Sequence, residues 1–220
     1  MGRVFIFADE AGCFTFEKKA NVSKYFILNT VSMNSCAVGD ALARLRRDLA
    51  WAQKPLGDYF HASTDKQEVR DAVFSEICKH DFLIQSTVME KTKAQPQVRA
   101  TKPRFYKTGW YFHFKHGAPH KVQKTDELMV VTASLGTRKE RTAFEEAVQD
   151  VLRQTVPGLP YKANFCPSAV DPCLSVVDYC AWAIQRKWES GNRDVRSYDL
   201  IKDRITYEYD LWRHGSTHYY

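Results

Sequence analysis

Two adjacent acids follow an apolar run near the N-terminus. The run Val4 to Phe7 leads into Ala8-Asp9-Glu10-Ala11-Gly12, and its aromatic and β-branched residues predict a strand buried on at least one face. An acid at the end of such a strand is held rigidly, which suits a catalytic or metal-binding carboxylate. Because side chains alternate along a strand, Asp9 and Glu10 should face opposite sides, so at most one reaches a given metal site. The alternative is that both acids only end the strand and solvate a turn.

A third acid, Asp178, interrupts an apolar helix face. Asp171-Pro172 predicts a helix that starts there, because Asp is a good N-cap and Pro fits the first helical position. The apolar face of this helix, which runs to about Trp188, consists of Leu174, Val177, Ala181, Ile184 and Trp188. A carboxylate beside that face must be desolvated, paired or bound to a ligand, since burying an isolated charge is costly. Asp178 is therefore the second candidate functional residue.

Three segments, in this order, resemble the bacterial domain-of-unknown-function family 3800 (DUF3800). They are Phe7 to Gly12, Phe60-His61-Ala62-Ser63, and Pro172 to Tyr179 in a helix that ends at Arg186. Ser197 to Asp203 also resembles the closing helix of that family, so the match spans nearly the whole chain. The resemblance implies an α/β protein with a ribonuclease H-like mixed β-sheet flanked by helices. In such a fold the first strand supplies one acid and the final helix supplies another.

The resemblance also implies a chemistry. Asp9 and Asp178 would be metal ligands, and converging carboxylates could hold Mg²⁺ or Mn²⁺ ions about 3.5–4 Å apart. One ion would activate water and the other would steady the leaving oxygen of a phosphodiester. Glu10 and His61 are the secondary catalytic candidates. His61 could ligate metal or shuttle protons, and an ordinary structural histidine is the alternative. The predicted activity is a divalent-metal-dependent nuclease acting on DNA or RNA.

One position departs from the family pattern. Family members often carry an acid after the strand that matches Leu128 to Ala133, where this chain reads Ala133-Ser134-Leu135-Gly136. The residues that could replace the missing ligand are Glu10, Asp58, His61 and Glu90. Without a replacement, the chain would be a catalytically degenerate nucleic-acid-binding module, or an interaction subunit of a mobile-element or defence system.

The segment from Lys91 to Thr125 contains no Asp or Glu, but many cations interleaved with aromatic residues. It predicts a partly helical insertion, at about residues 92–125, whose basic side binds nucleic acid, because cations neutralise phosphates and rings stack on bases. The candidate contacts are Lys91, Lys102, Arg104, Lys107 and Trp110. The alternative is a solvated basic face over aromatic core residues, which would move the contacts to the arginine-rich face of the Val38 to Gln53 helix.

Three histidines in the same segment, His113, His116 and His120, suggest a transition-metal site by composition alone. Gly117 and Pro119 break any regular geometry there, and no acid lies near in sequence to orient the imidazoles. Contact with nucleic acid is the better functional interpretation of this segment.

The remaining elements follow from hydrophobic periodicity. The predicted strands are Tyr25 to Ser32, Phe82 to Met89, Leu128 to Ala133 and Tyr161 to Cys166, and the predicted helices are Val38 to Gln53, Asp65 to about His80, Thr137 to Gln154 and Ser197 to about Trp212. Together they predict one ribonuclease H-like domain over residues 1–220 that carries the basic insertion.

Composition sets the class of protein. The 220 residues include 32 Lys and Arg against 26 Asp and Glu, and the net charge of +6 permits an anionic partner such as nucleic acid. No stretch approaches the roughly 18 consecutive apolar residues of a membrane helix, and no secretory signal is evident. We therefore expect a cytoplasmic protein with no membrane partner.

Overall fold

A six-stranded mixed sheet with helices on both faces organises the chain. The computed structural model describes residues 2–117 and 127–220. The strands are β1 Arg3–Ala11, β2 Tyr25–Met33, β3 Leu83–Glu90, β4 Glu127–Ala133, β5 Tyr161–Cys166 and β6 Ile205–Asp210. The helices are α1 Ala37–Trp51, α2 Gln67–Ile77, α3 Lys102–His116, α4 Arg138–Thr155, α5 Pro172–Glu189 and α6 Arg196–Ile201.

The strand order is β5-β4-β1-β2-β3-β6. β1, β2 and β3 form an antiparallel meander, whereas β4 pairs in parallel with β1 and β5 pairs in parallel with β4. The crossover that parallel pairing requires between β4 and β5 is supplied by α4. The predicted α/β class, with a mixed sheet flanked by helices, is confirmed by this arrangement.

The central strand β1 buries its two faces in two different cores. Phe7 packs in the core formed with α1, α2 and α5, whereas Ile6 and Ala8 pack in the core formed with α3 and α4. Because both faces are covered, the strand reads as a continuous apolar run and does not alternate with polar residues. Asp9 and Glu10 follow this run, near the carboxyl end of β1.

The last predicted helix is wrong beyond Ile201. α6 ends at that residue, and Ile205–Asp210 forms β6, which pairs in parallel with the otherwise free edge of β3. The sequence here alternates Ile205, Tyr207 and Tyr209 with polar residues, which is the period of two that a strand requires. Among the described helices, none is both long enough and apolar enough to cross a membrane.

Candidate acidic site

The carboxyl end of β1 and the side of α5 border one cavity of about 270 Å³. Its lining residues are Asp9, Glu10, Gly12, Phe14, His61, Ala133, Ser134, Leu135, Ser168 and Asp178. Asp9 comes from β1, Asp178 from α5, and His61 from the connection between α1 and α2. The four residues predicted to be catalytic therefore lie around the same space, although they are distant in sequence. We call this space the acidic cavity.

Asp178 is held by the segment that carries His61. Its Oδ1 lies 2.8 Å from His61 Nδ1, and its Oδ2 accepts a hydrogen bond of 2.7 Å from the backbone N–H of Ala62. Each carboxylate oxygen can accept more than one hydrogen bond or ligand, so both retain capacity toward the cavity. These two contacts orient an acid that is 9% exposed.

His61 connects Asp178 to a hydroxyl group. Its Nε2 lies 3.0 Å from Ser63 Oγ, and its ring stacks on Tyr59 with 5.7 Å between the ring centres. The hydrogen bond to the Asp178 carboxylate raises the pKa of His61 above its usual 6.5. When Nδ1 carries the proton toward Asp178, Nε2 can exchange a proton with a hydroxyl or with water. Ser63 belongs to the motif used above but is not among the predicted site residues.

Asp65 supports this segment from the protein interior. The sequence suggests Asp65 as a helix cap, but the N-cap of α2 is Lys66 and the Asp65 side chain has a different role. Asp65 Oδ2 accepts a hydrogen bond of 2.8 Å from the backbone N–H of His61 and another from the Tyr179 hydroxyl. Tyr179 is fully buried and follows Asp178 directly. Tyr179, the neighbour of Asp178, therefore helps to fix the backbone of His61 through Asp65.

Asp9 lies in an unfavourable electrostatic environment. Its Oδ1 accepts a hydrogen bond of 2.9 Å from the backbone N–H of Glu10, and within the described part of the chain it makes no ion pair. Burial, reinforced by the negative charge of Asp178, raises the pKa of Asp9 from its usual 3.8 to about 8. Two close carboxylates with no cation between them are stabilised either by a proton or by a bound cation.

Glu10 faces the other side of β1, as strand alternation predicts. The Tyr106 hydroxyl donates a hydrogen bond of 3.4 Å to Glu10 Oε2, and burial raises the pKa of Glu10 well above its usual 4.5. Glu10 lines the acidic cavity from the α3 side, whereas Asp9 approaches it from the α5 side. The two acids therefore project from opposite faces of β1, although both line the acidic cavity.

The strand beside Asp9 supplies no carboxylate. Ala8 pairs with Thr132 of β4, so Ala133 and Ser134 continue alongside Asp9 and line the cavity. Among the residues that the structure describes, no group of three or more His, Cys, Asp or Glu side chains is placed to hold a metal ion. The acid that is missing after β4 in the sequence is therefore also missing from this wall of the cavity.

Two of the four proposed substitutes for the missing ligand do not line the acidic cavity. Glu10 and His61 line the acidic cavity. Glu90 instead pairs with Lys24 and Lys93 at 3.3 and 3.0 Å. Asp58 lines a neighbouring groove and not the acidic cavity. Glu10 and His61 are thus the substitutes that the fold places at the cavity.

Two of the predicted nucleic-acid contacts are corrected by their burial. Trp110 is 0% exposed, packed among the other aromatic residues of α3, so it cannot stack on a base. Lys91 is 1% exposed and donates hydrogen bonds of 3.0 and 2.8 Å to the backbone carbonyls of Cys13 and Thr15. Its ammonium group is hydrogen-bonded inside the protein and is not available to a phosphate.

Two further cations of α3 are balanced by acids of α4. Lys102 Nζ lies 2.9 Å from Glu140 Oε1, and Lys107 pairs with Asp150. Arg104 is exposed and makes no ion pair within the described residues. The segment lacks acids in its own sequence, but the fold brings acids to it from 38 and 43 residues away. Four of the aromatic residues of α3 are core residues, as the alternative interpretation states, namely Phe105, Tyr106, Trp110 and Phe114.

The histidine cluster does not form a metal site in the described part of the chain. His113 is 0% exposed, and its two ring nitrogens lie 2.8 and 2.9 Å from the hydroxyls of Thr30 and Thr87. Burial lowers the pKa of His113 to about 3. His116 is exposed, and His120 lies outside the described residues. The prediction for residues 118–125 of the basic segment likewise falls outside them.

Neither a protein-family model nor a curated protein sequence matches the chain, so membership of DUF3800 stays a prediction. Among solved structures, the chain is similar to the crystal structure of ribonuclease H2 from Pyrococcus horikoshii OT3. The identity is 13% and the TM-score is 0.45, with 98% of this chain and 80% of that chain covered. A likeness at this level says nothing about activity, and the proposal below rests on the site itself.

Proposed function

We propose that the protein is a divalent-metal-dependent phosphodiesterase that cleaves nucleic acid at the acidic cavity. The observation that carries this proposal is the convergence of Asp9 and Asp178, from β1 and α5, on one solvent-accessible space. Burial and the nearby negative charge of Asp178 raise the pKa of Asp9, which agrees with two acids lying close together at this cavity. A buried pair of acids with a perturbed pKa in a cleft is typical of functional sites.

The donor groups fit a hard divalent cation. Mg²⁺ and Mn²⁺ prefer carboxylate oxygens, and Mg²⁺ is commonly held by one or two carboxylates together with waters and substrate phosphates. Asp9 and Asp178 would hold the ion, and two carboxylates suit a single ion better than the pair implied by the resemblance. When bound, the ion would supply Lewis-acid stabilisation of phosphoryl oxygens and a more acidic water.

The residues around the acids have their own tasks in this proposal. Asp178 fixes the orientation and tautomer of His61 through the 2.8 Å contact at Nδ1. His61 Nε2 then exchanges a proton with the attacking water or the leaving oxygen, directly or through Ser63 Oγ. Asp65 and Tyr179 act as positioning residues, since they hold the His61 backbone.

The direct test is cleavage of fluorescently labelled DNA and RNA oligonucleotides by the purified full chain. We expect products with Mn²⁺ or Mg²⁺ and none with EDTA, because the carboxylates alone cannot polarise a phosphoryl group. A second candidate function, a binding module without catalysis, is favoured because, among the described residues, no group of three or more His, Cys, Asp or Glu side chains is placed to hold a metal ion. Tight oligonucleotide binding with no cleavage at any Mn²⁺ concentration would support that candidate and contradict the nuclease.

Ser134→Asp tests the missing ligand by adding it. Ser134 lines the acidic cavity directly after the end of β4, so a carboxylate there should complete the donor set. We expect Mn²⁺ to bind roughly tenfold more tightly, or about 1.4 kcal/mol, as measured by isothermal titration calorimetry. Ser168→Asp, which adds the same charge on another wall of the cavity, is the matched control. Equal gains for both variants would indicate a general charge effect and not a ligand position.

A further inference from the structure

A second concave surface opens next to the acidic cavity. It has a volume of about 400 Å³, and we call it the α1 groove. Its lining residues are Leu42, Ala43, Arg46, Arg47, Ala50, Asp58, Tyr59, Phe60, Ser168, Ala169, Pro172 and Ser175. We propose that the α1 groove binds the sugar-phosphate backbone of a single-stranded nucleic acid and leads it to the acids. The choice of substrate class rests on the function proposed above.

The groove and the acidic cavity are continuous. Ser168 lines both of them. Tyr59 lines the groove, and its ring stacks on that of His61, whose Nδ1 contacts Asp178. A chain lying in the groove would therefore reach the candidate catalytic residues without crossing another element.

Arg46 lines this groove and has one unsatisfied donor. Its Nη2 donates to the backbone carbonyl of Gly57, and its guanidinium carbon lies 5.9 Å from the centre of the Phe60 ring. Its Nη1 is buried and has no hydrogen-bond partner within the described residues. A buried guanidinium N–H without an acceptor is costly, and a phosphate oxygen is the acceptor that matches its planar geometry and charge.

Arg47 adds a second free cation. Its side chain is exposed and makes no ion pair or hydrogen bond within the described part of the chain. Asp58 is the one acid among the described lining residues, so the two arginines leave the groove net positive. This differs from α3, where Lys102 and Lys107 are already paired with Glu140 and Asp150.

Tyr59 indicates the kind of strand. Tyr59 lines the same groove as the two arginines. An aromatic side chain that shares a groove with cations is the combination that holds a single strand, with bases on the ring and phosphates on the cations. The stacked bases of a duplex are not available to such a ring. We therefore assign single-stranded nucleic acid as the ligand of the groove. The experiment also tests double-stranded nucleic acid, which we expect not to compete.

The test measures binding without cleavage. Fluorescence anisotropy of a fluorescein-labelled single-stranded oligothymidine, recorded in EDTA over a range of salt concentrations, gives the slope of log affinity against log salt. Each phosphate contact to a single strand contributes about 0.7 to that slope. We expect Arg47→Ala to reduce the slope by about 0.7 and Arg46→Gln/Arg47→Ala to reduce it by about twice as much.

Two controls separate this groove from general charge. Arg44 is exposed on the same helix but does not line the groove, so Arg44→Ala should leave the slope unchanged. Lys102→Ala/Lys107→Ala should also leave it unchanged, because both lysines are paired within the protein. Circular dichroism confirms folding of each variant, and the single Arg47→Ala variant removes only an exposed side chain.

The outcomes also separate this inference from the proposed function. A wild-type slope in Arg47→Ala and in the double variant, or no binding of the oligothymidine at all, would overturn the groove even if metal-dependent cleavage occurs. A duplex that displaces the single strand at equal concentration would overturn the single-strand assignment. The expected slopes without any cleavage in Mn²⁺ would support the groove and reject the nuclease.

Discussion

Asp178→Asn is expected to lower metal-dependent cleavage roughly a thousandfold, which corresponds to about 4 kcal/mol of transition-state stabilisation. The variant loses one of two ligand charges, and it also loses the carboxylate that holds the proton on His61 Nδ1. Single-turnover rates on a labelled oligonucleotide, at saturating Mn²⁺, provide the measurement.

Asp199→Asn is the matched control for this loss. Asp199 is an exposed acid that pairs with Lys202 at 3.2 Å, away from the acidic cavity, so its variant should cleave at the wild-type rate. The pH dependence adds a further readout, because removing Asp178 should lower the pKa that the rate reports for His61. Full activity of Asp178→Asn would remove that residue from the proposed site.

Asp9→Asn is expected to change how the stability of the metal-free protein depends on pH. Burial and Asp178 raise the pKa of Asp9 to about 8 in the folded protein, against an ordinary value of 3.8. Above the lower value the unfolded chain ionises while the folded carboxyl keeps its proton, so the free energy of unfolding falls as pH rises. The fall ends when pH passes the folded pKa, and it cannot exceed about 1.4 kcal/mol per pH unit.

The neutral amide in Asp9→Asn abolishes this contribution. In EDTA, the variant should therefore gain stability over the wild type between about pH 4 and pH 8, as followed by urea unfolding. Mn²⁺ should close the gap by stabilising the wild-type carboxylate. Parallel curves for wild type and variant across this range would show that Asp9 is ionised without a cation.

Local sequence patterns predict the elements best where their signals are strong. Asp171-Pro172 marks the start of α5, and the pattern at Tyr161–Cys166 gives both ends of β5. The segment after Ile201 was harder, because a short helix and a strand follow each other within ten residues and the pairing of β6 with β3 is a tertiary contact. Intrinsic propensity does not decide such a case.

The candidate site was predictable only in part. Asp9 and Asp178 stand out because each interrupts an apolar pattern, and a sequence shows that directly. The support of His61 by Asp65 and Tyr179 does not stand out, since those two residues are 114 positions apart. The same holds for Lys102 and its partner Glu140. Such pairings follow from the packing of helices, which no local pattern encodes.

The two-sided burial of β1 has a consequence for insertions and deletions. A shift of β1 by one residue against β2 and β4 would leave its core positions apolar, because Val4 to Ala8 are apolar throughout. The same slip would exchange the faces of every side chain, so Glu10 would turn toward α5 and Asp9 toward Tyr106. Hydrophobic burial alone therefore does not prevent a pairing register in which Asp9 and Glu10 are on the wrong faces of the strand. The length of this strand is constrained by its chemistry more tightly than by its packing.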